Sequence, residues 1–369
     1  MKIAVLTSSR ADFTIYLPLL KAMRKDAAFD FEIIAFGTHL SPYHGMTKND
    51  IIKEGFKINH EIETLVIGDS PLSISTSISL TIIRFADFWD KNKNNYDLVF
   101  CLGDRYEMFG AVVAGLPFNI RFAHIHGGEK TLGAIDNIFR HSISHASSIH
   151  FTSTEEYSKH LFQMLDDPLH VYNVGALSLD NLNNFKYYTK EEFYSKWEVD
   201  FNIPTVLTTF HPETAGEDKN LYYVQELIDS IKSAQQFNFL ITMPNADTNG
   251  NVVRQMLLEE LSDNANIKII ENLGTKGYFS ALKYCVFLLG NTSSGIIEAA
   301  SFGKYVIDLG NRQKGRIKGK NVINVPINSI DILKAIDEIP FKTKLGNENK
   351  YYSNGASQKI LEKLKSIVQ

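Results

Sequence analysis

Only two cysteines and two tryptophans occur among 369 residues, so a disulfide framework or a cysteine-ligated metal centre lacks its raw material. Cys101 and Cys285 sit inside the apolar runs YDLVFCLG and KYCVFLLG, where a buried thiol serves as a small hydrophobe. No stretch of about 18 apolar residues is present, which excludes a membrane-spanning helix. The opening MKIAVLTSSR is too short in apolar residues for a signal-peptide core and reads as a first strand. Positive charge is also scarce: 38 Lys and Arg against 42 Asp and Glu leave a net charge of −4. Sequence-independent binding of nucleic acid leans on a strong positive field and is not expected. HExxH, CxxC and GxSxG are absent, so neither a catalytic metal nor a hydrolase elbow is expected. What remains is a cytoplasmic chain with no membrane partner.

Hydrophobic residues at 44% and charged residues at 22% describe a globular protein rather than a disordered one. The length exceeds the roughly 250–300 residues at which single cores stop growing, so two domains are expected. Short apolar runs alternate with longer stretches of helical spacing, such as 16–24 and 106–115. The first half carries runs at 2–8, 31–37, 96–103, 121–126, 147–153 and 170–175. The second half repeats the pattern at 204–210, 237–243, 266–272, 284–290, 304–310 and 321–326. Continuous apolar strands separated by helices predict an α/β fold with parallel sheets covered on both faces, one doubly wound sheet per half. The changeover is expected after 174–181, the KNKNN tract (91–95) as a surface loop, and a closing amphipathic helix over 357–368.

Ligands of such sheets bind beyond the carboxyl ends of the strands, and that is where the polar clusters fall. TSSRAD supplies Arg10 and Asp12, and GDRYE supplies Asp104 and Arg105. HGGEKT follows His126 with Glu129, and Asp136 and Arg140 come next. In the second half HPET brings His211, PNAD brings Asn245 and Asp247, NTSSG brings Asn291, and NRQKGR brings Arg312. GNTSSGIIEAASFG (290–303) joins a strand to a helix. The amides of 292–295, with the Thr292, Ser293 and Ser294 hydroxyls and Gly295, read either as a phosphate site or as an ordinary capped helix start. Glu298, about one turn further, suits ribose hydroxyls or plain solvent. Arg10 and Arg312 carry the forked donors that match a diphosphate. NRQKGRIKGK (311–320) places five cations in ten residues, as a phosphate-facing or mobile loop would. Gly127 and Gly128 offer close approach of a substrate to the backbone. Asp136 and Arg140, four apart, are spaced to pair on one helical face. His124 alternates with apolar neighbours and reads as a satisfied core histidine, whereas His126 lies at the mouth of the strand.

R-A-D, GDRYE, HIHGGEKTLGAID with F-R-H, FHPET, PNAD, GNTSSGIIEAASFG and GNRQKGR occur in that order. Together they resemble the hydrolysing UDP-N-acetylglucosamine 2-epimerases, over Lys2 to about Pro326. The resemblance implies two Rossmann-like domains facing across a cleft, the GT-B glycosyltransferase-like fold. It divides the chain into a catalytic domain, 1–178, and a nucleotide-binding domain, 179–369, with the last helix (about 355–369) a candidate to pack back on the first domain. Arg10, His211, Thr292, Ser293, Ser294 and Arg312 would surround the diphosphate and Glu298 the ribose. Asp104, the HIHGGE segment and Asp136 would form the acidic trio. Relatives of the non-hydrolysing branch carry Glu where this chain has His126, so either His126 or Glu129 takes that acid/base role. The implied reaction releases UDP and N-acetylmannosamine, with no metal or other cofactor and with a homodimer or homotetramer as the working form. The alternatives are a hydrolysing 2-epimerase of a UDP- or GDP-linked 2,4-diacetamido-2,4,6-trideoxyglucose, from the legionaminic-acid branch, and a glycosyltransferase.

Overall fold

A strand covered on both faces must be apolar at successive positions, because neighbouring side chains point to opposite sides of the sheet. In β1 (Lys2–Thr7) of the computed structural model, Ile3 and Val5 enter one core layer while Ala4 and Leu6 enter the other. Residues 1–166, 168–182, 185–213, 219–244, 250–339, 343, 345–346 and 348–368 are described. No helix among them is long and apolar enough to cross a membrane. The chain divides into two units. The first holds Met1–Glu129, Asp136–Asn183 and Tyr351–Gln369; the second holds Lys130–Ile135 and Asn184–Lys350.

In the first unit β1 is joined by β2 (Asp30–Phe36), β3 (Ile58–Ile62), β4 (Leu98–Leu102), β5 (Phe122–Ile125), β6 (Ile149–Thr152) and β7 (Val171–Asn173). They form a parallel sheet of order β3-β2-β1-β4-β5-β6-β7. One face packs on the helices Arg10–Met23 and Ala356–Val368. The other packs on Phe85 and Trp89 of the helix Pro71–Asn92. Trp89 is fully buried, and its indole N–H donates to the Ala111 carbonyl at 3.0 Å.

The second unit has β8 (Thr205–Thr209), β9 (Asn238–Thr242), β10 (Ile267–Ile270), β11 (Leu288–Gly290), β12 (Val306–Leu309) and β13 (Val322–Val325). Their parallel order is β10-β9-β8-β11-β12-β13. Both sheets reverse direction of winding once, between β1 and β4 and between β8 and β11. Crevices at such reversals are where doubly wound sheets bind ligands.

The two doubly wound α/β units are the class the sequence predicts, with three differences of detail. The strand β3, INHEI, was missed: it is an edge strand, and four of its five residues keep some exposure. KNKNN is not wholly loop, since its first two residues close the helix Pro71–Asn92. The division at 178 shifts to 183, and Lys130–Ile135 goes with the second unit. The cause of the shift is a 3₁₀ segment, Leu177–Leu182, whose Leu177 enters the first core. Its Asp180 carboxylate accepts from the backbone N–H groups of Ala356 and Ser357 at 3.0 and 2.7 Å, capping the last helix.

Trp89 is fully buried against the rings of Phe85, Phe88 and Phe122, so Trp89→Ala should cost about 3–5 kcal/mol of stability. Urea denaturation followed by circular dichroism measures this loss.

Candidate active site

The site residues of the first unit stand at the carboxyl ends of β1, β4, β5 and β6. β1 leads to Ser9, which caps the helix Arg10–Met23 by accepting from the Asp12 N–H. Asp12 turns inward: its carboxylate accepts from the Ser8 N–H at 2.9 Å and the Ser8 hydroxyl at 2.7 Å. Burial pushes the Asp12 acid up, opposed chiefly by the charge of Arg105. Arg105 in turn forks onto the fully buried Glu107, at 3.2 and 2.9 Å. Burial likewise raises Glu107, against the same guanidinium. The sequence reading missed Glu107, and also the segment after β2. There His39 is held between the Thr7 and Thr47 hydroxyls, each at 2.9 Å.

At the end of β5 the chain passes through His126, whose φ is +64°. This left-handed conformation is uncommon for a residue with a side chain. It is held from both sides. The His126 N–H donates to Phe151 O at 2.9 Å, and its carbonyl accepts from Arg140 Nη1 at 3.0 Å. The ring is buried, with Nδ1 2.8 Å from Glu129 Oε1. An ionised carboxylate only accepts, so Nδ1 carries a proton and Nε2 is the ring nitrogen left over. That Nε2 is buried and has no hydrogen-bond partner among the described residues.

Arg140, on the helix Asp136–His145, binds Asp104 through Nη2 and lies 3.6 Å from Glu129 Oε2 through Nη1. Asp104 keeps 23% side-chain exposure where Glu129 and Arg140 keep 1% and 2%, so it is the open acid of this group. Asp136 is half-buried at the helix start. Gly127 and Gly128 pack closely against the core. A Cβ on Gly128, whose φ is +78°, would stand 2.6 Å from the Tyr157 carbonyl, and one on Gly127 2.9 Å from the His124 ring.

His124 is a satisfied core residue. Its Nε2–H donates to Gly103 O at 2.8 Å and its Nδ1 accepts from the Ser144 hydroxyl at 2.9 Å. Burial pushes it down to about 3, and pushes His39 and His150 down to about 4.

In the second unit the buried Asn291 brackets the backbone of His211. Its Oδ1 accepts from the His211 N–H at 2.7 Å and its Nδ2 donates to the His211 carbonyl at 2.8 Å. Glu213 Oε1 accepts from the N–H groups of Asn311 and Arg312 at 2.5 and 3.1 Å. These two side chains tie together the ends of β8, β11 and β12. Gly290, with φ +143°, has no room for a Cβ against the Thr209 carbonyl. Thr292 caps the short helix Ser293–Ile297 by accepting from the Ser294 N–H, and the Gly295 N–H donates to Thr292 O. The Ser294 hydroxyl is buried without a partner among the described residues, and Glu298 is buried just beyond. Arg312 is half-buried, with Nη1 3.4 Å from Asn291 O.

The cationic loop 311–320 is bonded to the rest of the second unit at several points. Glu213 holds its start, Gln313 Nε2 donates to Asn291 O at 2.8 Å, and Lys318 pairs with the buried Asp308 at 2.7 Å. Leu132 of the 130–135 segment donates its N–H to Lys314 O at 2.9 Å.

The side chains of Asp12, Arg105, Arg140 and Asn291 bond to the protein partners above. Burial forces this, because an interior charge or amide must be bonded. Asn245 and Asp247 lie outside the described residues. Among the described residues no group of three or more His, Cys, Asp or Glu could hold a metal ion.

The family model described as UDP-N-acetylglucosamine 2-epimerase matches residues 21–365. A Campylobacter jejuni protein named GDP/UDP-N,N'-diacetylbacillosamine 2-epimerase (hydrolyzing) is 35% identical over 331 residues, covering 89% of this chain and 85% of that protein. The polysialic acid biosynthesis protein P7 of Escherichia coli is 32% identical over 377 residues, covering 100% and 94%. The crystal structure of UDP-GlcNAc 2-epimerase from Neisseria meningitidis bound to UDP-GlcNAc superposes with a TM-score of 0.83 at 18% identity, covering 99% and 100%.

The depressed imidazoles carry a signed consequence. A histidine whose folded pKa lies near 4 binds fewer protons than its unfolded form below about 6.5. Its contribution to stability is complete above pH 6.5 and is lost as pH falls toward 4. Buried Asp12 and Glu107 pull the other way, so the comparison must isolate one ring. His150→Gln should lose less thermal stability than the parent between pH 7 and pH 5, as read by calorimetry.

Proposed function

The chain belongs to the UDP-N-acetylglucosamine 2-epimerase family, and from that premise we propose that it is a hydrolysing 2-epimerase of a nucleotide-linked 2-acetamido sugar. UDP-N-acetylglucosamine is the leading substrate, giving UDP and N-acetylmannosamine for sialic acid synthesis. The observation that carries the reading is the buried His126–Glu129 pair with a free Nε2, together with the open carboxylate of Asp104.

Inverting carbon 2 requires one group to remove its proton and another to return a proton from the opposite face. In the first step a base takes the carbon-2 proton while the carbon 1–oxygen bond breaks, and its electrons leave with UDP. The product is 2-acetamidoglucal. Water then adds its oxygen at carbon 1, and an acid protonates carbon 2. His126 Nε2 and Asp104 are the two exchanging groups in this proposal. Glu129 fixes which ring nitrogen of His126 is left over. Asp136 completes the acidic set.

The departing diphosphate carries the largest developing charge, so its stabilisation is the main electrostatic task. Arg10, His211, Thr292, Ser293, Ser294, Gly295 and Arg312 are assigned to it, and Glu298 to the ribose. No step needs a metal or redox cofactor. A cytoplasmic homodimer or homotetramer belongs to the same proposal.

A second reading concerns the sugar at carbons 4 and 6. The 35% identity to a protein named for diacetylbacillosamine favours a UDP- or GDP-linked 2,4-diacetamido-2,4,6-trideoxyglucose as substrate.

Proton NMR in deuterated water, with each sugar nucleotide offered separately and no acceptor or metal, tests the proposal. Free N-acetylmannosamine bearing deuterium at carbon 2, with stoichiometric UDP, is the expected result. Turnover of the diacetamido donor alone would move the chain to the second reading. No turnover of either would bring forward a glycosyltransferase needing an acceptor. Asp104→Asn and His126→Asn should each lower kcat by at least about 10²-fold. Their UDP affinity should stay near that of the parent, because neither residue is assigned to the nucleotide.

A further inference from the structure

Glu129 Oε1 receives two donors. His126 Nδ1 lies 2.8 Å from it and the Ser153 hydroxyl 2.6 Å from the same oxygen. All three side chains are buried. Ser153 is the residue immediately beyond β6, and β6 is the sheet neighbour of β5, which delivers His126. The contact is thus made by strand register across 24 residues of sequence. Helix capping does not account for it, because Thr154 accepts from the Tyr157 N–H at the start of the helix Glu155–Met164.

A carboxylate oxygen offers two lone-pair directions. With a hydroxyl on one and the imidazole N–H on the other, both directions of Oε1 are filled, while Oε2 faces Arg140 Nη1 at 3.6 Å. The carboxylate is then fixed in rotation, and the ring opposite it is fixed in tautomer. We propose that Ser153 is a positioning residue: its hydroxyl locks Glu129 so that His126 keeps its proton on Nδ1 and offers Nε2 to the substrate. This rests on the acid/base role proposed for His126. The charged and titratable groups around that ring are Glu129 on its own loop, Arg140 and, through it, Asp104, and His124 on β5. Ser153 is neutral, so removing its hydroxyl leaves that charge set unchanged.

The test compares Ser153→Ala with the parent, using ¹⁵N-histidine-labelled protein and two-bond ¹⁵N–¹H correlation; His126→Asn identifies the His126 signal. The parent should show the Nδ1–H tautomer, and Ser153→Ala a mixed tautomer or a displaced titration of the same ring. Its kcat should fall by about tenfold or more with KM within about twofold, as expected for a lost hydrogen bond to a charged group. Thermal unfolding and UDP binding report whether the fold is intact. Should the alanine variant misfold, Ser153→Thr and Ser153→Val repeat the comparison with equal shape, and only Thr should retain the parent tautomer. An unchanged His126 tautomer and titration in the hydroxyl-free variants would overturn the proposal. The ring signal decides this whether or not any sugar nucleotide turns over.

Discussion

A guanidinium with almost no exposure must be surrounded by negative charge and carbonyl oxygen, because an unpaired interior cation costs several kcal/mol. Arg140 meets that demand by drawing in Asp104 from the end of β4, Glu129 from the loop after β5, and the carbonyl of His126. The demand is local, but its result is an arrangement of three chain segments. His126 can hold a left-handed backbone only because its N–H and its carbonyl are each taken by a fixed partner. Strained residues persist where their surroundings over-determine them. Remove the guanidinium, and the loop that carries the imidazole loses its reason to stay.

The second unit solves the same mechanical problem with neutral amides. Asn291 and Asn220 each offer a donor and an acceptor, and each uses both on the backbone of one residue, His211 and Glu213 respectively. An amide used this way fixes a strand end without adding charge. Glu213 is the exception, and its carboxylate is spent on backbone N–H groups of the cationic loop. Arg312 therefore receives its position from an acid bonded to its own backbone.

The strands were legible because burial on both faces leaves continuous apolar runs, as in β4. INHEI was not, since an edge strand is half-solvated and its His60 and Glu61 break the run. The neighbourhood of the site was legible for a positional reason: polar clusters after apolar runs mark the carboxyl edge. Individual roles were less so. Asp12, Arg105, Arg140 and Asn291 look like ligand contacts by residue type, and only the long-range packing shows the protein bonds that each makes. Ser153 gave no signal of its own, because a serine two residues into FTST is ordinary. Its relation to Glu129 exists only once β5 and β6 are paired.

The last helix also bears on the order in which the protein is made. Ile360, Leu361 and Leu364 are buried in the first unit's core, and Asp180 caps the helix that carries them. Most of the second unit lies between that core and these residues in the chain. During synthesis the second unit thus has nearly all of its own chain available before the first can close. The unit that begins first is the one that finishes last.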